Sequence, residues 1–261
     1  MIRIGLLAFV TSALLTAGQS PTPGGGGAPT VRVAAAADLN VVLDEVVERL
    51  ARRQPSIRVE TTYGSSGTMH AQLRQRAPYD VYLSADVEYP RDLIARGIGS
   101  ERDLFTYAIG RIVVWVPRGS TLAIEREGLS ALAGASRIAM ANPRHAPYGR
   151  AAEAALRNAG IWSRVRGNVV LGENVAQAAQ FVQSGAADAG IVARSLAMAP
   201  AMRGAGRFLE IPEHTHPRLT QGGLILPWAV SREATVRFRD YLLSDEGRQL
   251  LASHGFDLSA R

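Results

Sequence analysis

Four short stretches hold most of the residues that could grip or transform a small ligand: AAADL at 35–39, YGSSGT at 63–68, NPRHAPYGR at 142–150 and GENVAQ at 172–177. Each joins an apolar run of strand length to an amphipathic run of helix length. A helix N-terminus presents unpaired N–H groups and the positive end of its dipole, so such junctions at strand ends suit an oxyanion. Gly64 and Gly67 would let the backbone come close to a ligand, and Ser65 and Ser66 add hydroxyl donors beside the helix N–H groups. Neutral donors suffice for that task. Every one of these residues also has a purely structural use. Ser66 or Thr68 can N-cap the following helix, Asp38 and Asn174 stand where caps stand, and Pro147 can simply open a helix.

Other reactive groups form weaker sets. His214 and His216 could make a metal pair, but no carboxylate or cysteine stands at ligand spacing, so no protein-bound cation is expected. His70 and His145 flank the proposed mouth, where a charge switch or an idle surface position are both open readings. YGSSG lacks the four-residue spacer and the lysine of a phosphate loop. A secreted serine hydrolase built on Ser65 or Ser66 is the remote alternative, because no G-x-S-x-G elbow is present.

The elements that must position the four junctions follow a β-α-β-α rhythm. VRVAAA (31–36) precedes LNVVLDEVVERLARR (39–53), where Val42, Leu43, Val46 and Leu50 recur at helical spacing. IRVETTY precedes TMHAQLRQR, and YDVYLSA precedes VEYPRDLIARG. The pattern restarts with AIGRIVVWVP (108–117), SRIAMAN, YGRAAEAALRNAG, NVVLG, NVAQAAQFVQSGA and DAGIVA. This rhythm predicts α/β architecture with two mostly parallel sheets flanked by helices. The closing stretch, GGLILPWAV and one long helix EATVRFRDYLLSDEGRQLLASHGF, could rejoin either unit. No internal repeat is visible.

Length and composition frame this reading. The 261 residues exceed one ordinary domain and can bury a sizeable core. Met1-Ile2-Arg3 followed by an apolar run from Ile4 to Ala17 reads as a signal peptide over residues 1–18; the run is shorter than the roughly 20 residues a membrane span needs. GQSPTPGGGGAPT makes residues 19–30 a linker. Cysteine is absent, so neither disulfides nor a lipid-modified cysteine is available, and a periplasmic location, not a lipoprotein, is expected. The net charge of +6 comes from arginine alone, since the chain has no lysine. The arginines are dispersed and aromatics are few, which argues against a nucleic-acid partner.

The segments VAAAADLN, TYGSSGTMHAQL, APYDVYLSAD, ANPRHAPYGRAAEAAL, GENVAQAAQFVQSGAADAGIVA and YLLSDEGRQLLASHGF together resemble the molybdate-binding periplasmic proteins of ABC importers, across about residues 31 to 257. The resemblance implies a type II periplasmic-binding fold, with two α/β lobes, a two-strand hinge and a ligand cleft between them. Lobe 1 would comprise 31–108 and 220–261, and lobe 2 would comprise 109–219. It implies no enzyme and no cofactor. A monomer would capture molybdate or tungstate and deliver it to an inner-membrane permease with its ATPase. Size would separate these anions from sulfate. Another tetrahedral oxyanion, such as phosphate, phosphonate or sulfate, is the alternative cargo.

Carried over residue by residue, Ser66 matches a family serine whose hydroxyl and N–H hold the anion. Tyr148 and Val175 fall where the family uses backbone N–H groups, so the Tyr148 side chain is expected to matter little. Two positions depart. Asp38 stands where many members have a serine, and Ala193 where many have a tyrosine. An ionised Asp38 would repel a dianion, so it must turn away to cap its helix, be protonated, or face an anion that carries a proton. Capping is the preferred expectation, leaving the N–H groups of Leu39 and Asn40 to the ligand. Water, Tyr63, Tyr148 or Ser195 would stand in for the missing tyrosine hydroxyl.

Overall fold

Among the described residues, apolar runs bounded by turns become ten strands in two five-stranded sheets. The computed structural model describes residues 28–258; the signal peptide expected at 1–18 and the linker up to residue 27 lie outside them. In chain order the first part runs β1 (Thr30–Ala36), α1 (Asn40–Arg53), β2 (Arg58–Gly64), α2 (Ser66–Arg74), β3 (Val81–Ser84), α3 (Glu88–Ala95) and β4 (Leu104–Gly110). The second part runs β5 (Ile112–Pro117), α4 (Ile124–Glu127), β6 (Ile138–Ala141), α5 (Pro147–Asn158), α6 (Trp162–Val165), β7 (Val169–Gly172), α7 (Val175–Gln183), β8 (Ala189–Ala193), α8 (Arg194–Ala197), α9 (Pro200–Arg203) and β9 (Gly206–Glu210). Last come β10 (Leu219–Ile225), α10 (Arg232–Leu243) and α11 (Asp245–Ser253).

The first sheet has the order β2-β1-β3-β10-β4 and the second β7-β6-β8-β5-β9. In each, three strands are parallel and the fourth, β10 or β5, runs antiparallel between its neighbours. The two sheets therefore share one plan that no repeat in the sequence announces. They are mixed rather than mostly parallel, because the strand entering from the other half arrives in the opposite direction. Interior strands covered on both faces read as unbroken apolar runs: β3, β6 and β8 are buried throughout. Edge strand β2 alternates between exposed and half-buried positions.

Two sequence runs divide where one element was expected. AIGRIVVWVP ends β4 at Gly110 and starts β5 at Ile112, so a single apolar run serves both sheets and crosses between them at Arg111. The chain returns between β9 and β10, which places the closing segment in the first sheet. Arg111 holds this crossing, with Nη1 2.7 Å from Glu213 Oε2 and 3.6 Å from Asp257 Oδ2. The long C-terminal helix breaks at Ser244, whose extended backbone (φ −64°, ψ 165°) ends α10 and whose hydroxyl accepts from the Gly247 N–H to cap α11.

A candidate oxyanion site between the sheets

The carboxyl ends of β1 and β2 from one sheet and of β6 and β7 from the other open on the same gap, as ligand sites in open α/β sheets do. A small hollow there, of about 10 Å³, is lined by Asp38, Ser65, Ser66, Tyr148, Asn174 and Val175 together with small apolar groups. That space is on the scale of one water-sized sphere.

Three helices point their N-termini at the hollow: α2 begins at Ser66, α5 at Pro147 and α7 at Val175. The N–H groups of Ser66, Tyr148 and Val175 make no hydrogen bond to another group among the described residues. Ser66 Oγ accepts from the Ala85 N–H at 3.0 Å, which leaves its own hydrogen available to donate. Tyr82 fixes the same turn by donating to the Ser66 carbonyl at 2.7 Å. Capping falls to neighbouring residues. Ser65 caps α2 by accepting from the Thr68 N–H, where Ser66 or Thr68 was expected to cap, and Asn174 caps α7 by accepting from the Gln177 N–H at 3.0 Å.

Asp38 departs most from expectation. It lies inside a 3₁₀ turn (Ala37–Leu39) and caps nothing. Its Oδ2 instead accepts from the Tyr148 hydroxyl at 2.9 Å and from Gln221 Nε2 at 2.5 Å, while Ser195 Oγ donates to its carbonyl at 2.9 Å. The Tyr148 side chain is thus the clamp that ties Asp38 to α5 across the gap, contrary to the expectation that only its N–H matters. Asp38 is 1% exposed and its Oδ1 has no partner. Burial pushes its carboxyl up from 3.8 to about 6, against the opposing pull of Gln221 and Tyr148. The Tyr148 phenol is held well above its ordinary value by burial and by Asp38. No arginine lines the hollow.

Leu39 packs into the core of the first half and does not line the hollow. Of the proposed substitutes for the missing tyrosine, Tyr148 lines the hollow but spends its hydroxyl on Asp38, and Tyr63 and Ser195 do not line it. The Tyr63 hydroxyl is turned to Asp44 at 2.5 Å, Ser195 is engaged with Asp38, and Ala193 is buried in β8. Gln221 escaped the sequence reading. A glutamine inside the run LTQGGLI was its one signal, because a buried strand position rarely holds an amide without a polar partner.

The mouth of the hollow is shut by contacts between the two halves. The Gly67 N–H donates to the His145 carbonyl at 2.8 Å, Thr68 Oγ1 donates to Glu173, and Arg150 pairs with Asp86 at 2.6 Å. A Cβ on Gly67 would lie 2.5 Å from the His145 oxygen. The glycine makes room for the opposing backbone rather than for a ligand. His145 Nδ1 sits 2.8 Å from Ser65 Oγ, and its Nε2 3.6 Å from Glu173. Serine, histidine and glutamate do meet here, but the serine is spent capping α2. His70 pairs with Asp92 at 2.7 Å, and no group of three metal-ligating side chains occurs among the described residues.

Comparison with known proteins gives this geometry a family. A family model described as bacterial extracellular solute-binding protein matches residues 31–257. The molybdate-binding protein ModA of Azotobacter vinelandii is 28% identical over 232 residues, covering 88% of this chain and 91% of its own. ModA of Rhodobacter capsulatus is 27% identical over 198 residues, covering 76% of this chain and 77% of its own. The solved structure of the Azotobacter vinelandii periplasmic molybdate-binding protein matches with a TM-score of 0.80 at 28% identity, over 88% of this chain and all of that one. The chain belongs to the bacterial extracellular solute-binding protein family.

Proposed function

We propose that this chain is the periplasmic substrate-binding protein of an ABC importer, that it captures molybdate or tungstate between its two sheets, and that it hands the anion to a membrane permease without altering it. The observation that carries the reading is the convergence of the Ser66, Tyr148 and Val175 N–H groups, at three helix N-termini from both halves, on one small hollow. Entry requires the halves to part. The anion then favours closure, because it meets donors from both halves only in the closed state. The relatives that bear the name molybdate-binding protein support this choice of cargo. The relatives are named as binding proteins, which supports reading the chain as a carrier rather than an enzyme.

Calorimetric titration of the purified chain with molybdate, tungstate, sulfate and phosphate tests the proposal. Molybdate and tungstate are expected to bind most tightly, and heat with phosphate but none with molybdate would overturn it. In the same titration Ser66→Ala is expected to weaken capture by about 1.5 kcal/mol, roughly tenfold, through loss of a hydrogen bond to a charged group. Unchanged affinity in that variant would remove Ser66 from the site.

A second reading rests on one specific feature. The partnerless Asp38 Oδ1 could accept from an anion that carries its own proton, which favours hydrogen phosphate over molybdate.

A further inference from the structure

Asp38 lines a hollow to which no cationic side chain contributes, yet the anion proposed for that hollow carries two negative charges. An ionised carboxylate there would face the anion across a few ångströms of desolvated space, where like charges repel by several kcal/mol. The local geometry offers a different state. Two donors, the Tyr148 hydroxyl and the Gln221 amide, converge on Oδ2 alone and define it as the carbonyl-like acceptor. The other oxygen, Oδ1, is buried and partnerless. A proton placed on Oδ1 turns the liability into one more neutral donor.

Resting on the molybdate reading, we propose that Asp38 serves the bound state as a carboxylic acid, donating its Oδ1 proton to the oxyanion, so that each anion captured brings one proton from solvent onto the protein.

The ionisable groups around Asp38 are mostly engaged elsewhere, while His145 and Glu173 stand at the mouth against Ser65 and Thr68. On α5, Tyr148 is a donor to it, and Arg150 is turned away to Asp86. Tyr107 on β4 donates to the Ser84 carbonyl, and Tyr63 on β2 is turned to Asp44 at the start of α1. On α8, Arg194 is held by Asp257 and Glu210. Helix α7 has no ionisable residue, and β10 offers the neutral Gln221. Burial already raises the carboxyl to about 6, and the like-charge repulsion of an entering dianion pushes it much further up, so that the acid form persists in the complex above neutrality. The proton comes from bulk water and returns there on release, with no bond in the anion made or broken.

The test is titration of the intact chain with sodium molybdate in two buffers of different ionisation enthalpy at about pH 7.5, repeated across the range from about pH 7 to pH 8.5. Uptake close to one proton per anion is expected, with affinity falling about tenfold per pH unit. Asp38→Asn, which keeps an oxygen for Tyr148 and Gln221 and puts a permanent N–H donor in place of Oδ1, is expected to abolish both the uptake and the slope. Molybdate binding without proton exchange would overturn the proposal while leaving the molybdate reading intact, and this outcome needs no variant. A pH slope that persists in Asp38→Asn would overturn it too. Tighter binding of phosphate than of molybdate, without proton uptake, would assign Asp38 as an acceptor and overturn both. Absence of heat with every oxyanion would remove the site reading itself, and the proposal with it.

Discussion

Gly67→Ala is expected to leave the fold intact and to weaken molybdate capture by about 3 kcal/mol, roughly a hundredfold. Gly67 occupies the first turn of α2, with no positive φ, so alanine is compatible with the helix and even favours it. The added methyl would stand 2.5 Å from the His145 carbonyl oxygen and 2.9 Å from its Cα, both backbone atoms of the opposite half. Tyr89 Oη, at 2.8 Å, is the end of a side chain that can swing aside, but the His145 backbone can retreat only if the halves part. Parting them breaks the Gly67 N–H bond to His145 and draws the N-terminus of α5 away from that of α2. The effect therefore falls on closure, not on folding. Titration calorimetry gives the affinity, and small-angle scattering with saturating molybdate reports whether the variant stays open. A variant that binds and compacts like the wild type would show that closure does not depend on this contact.

The second large effect concerns stability. The Asp38 carboxyl has a folded value of about 6 against an ordinary 3.8. The folded protein thus keeps a proton over a range in which the unfolded chain has lost it. Its stabilising contribution is fully present below about pH 3.8 and is lost as pH rises through about 6. At about 1.4 kcal/mol per pH unit, the interval corresponds to about 3 kcal/mol lost by the ligand-free protein above neutrality. Asp38→Asn cannot ionise and escapes that loss. Its melting temperature without ligand is expected to exceed the wild type's by about 5–10 °C at pH 8 and to match it closely near pH 4. Equal melting temperatures at pH 8 would mean that the buried carboxylate is stabilised by something other than Tyr148 and Gln221. The same reasoning explains why a destabilising group persists in a core: its penalty is relieved when the anion and its proton arrive together.

The positions of the site were legible in the sequence because they are set locally. A Gly/Ser or Asn/Pro junction between a strand-like and a helix-like run fixes a helix N-terminus, and Ser66, Tyr148 and Val175 each stand at such a junction. What their side chains do was hidden, since the partners are remote: Tyr148 meets Asp38 across 110 residues and Gln221 meets it across 183. Asp38 looked like a helix cap for the same reason, as a short polar residue before an apolar periodic run is a cap unless a distant donor claims it. Topology was legible only in part. Alternation of strand and helix gives the α/β class, but nothing within AIGRIVVWVP marks Arg111 as the point where one sheet ends and the next begins. The reading of one long closing helix passed over the break at Ser244, although a serine followed by Asp and Glu is a helix start as much as a helix interior.

Anomalous diffraction from crystals grown with tungstate tests the central claim most directly, because the heavy atom reports its own position. A single strong peak is expected between the Ser66, Tyr148 and Val175 N–H groups, with the Asp38 carboxyl beside it. A peak on another surface, or full occupancy outside the gap between the two sheets, would contradict the account.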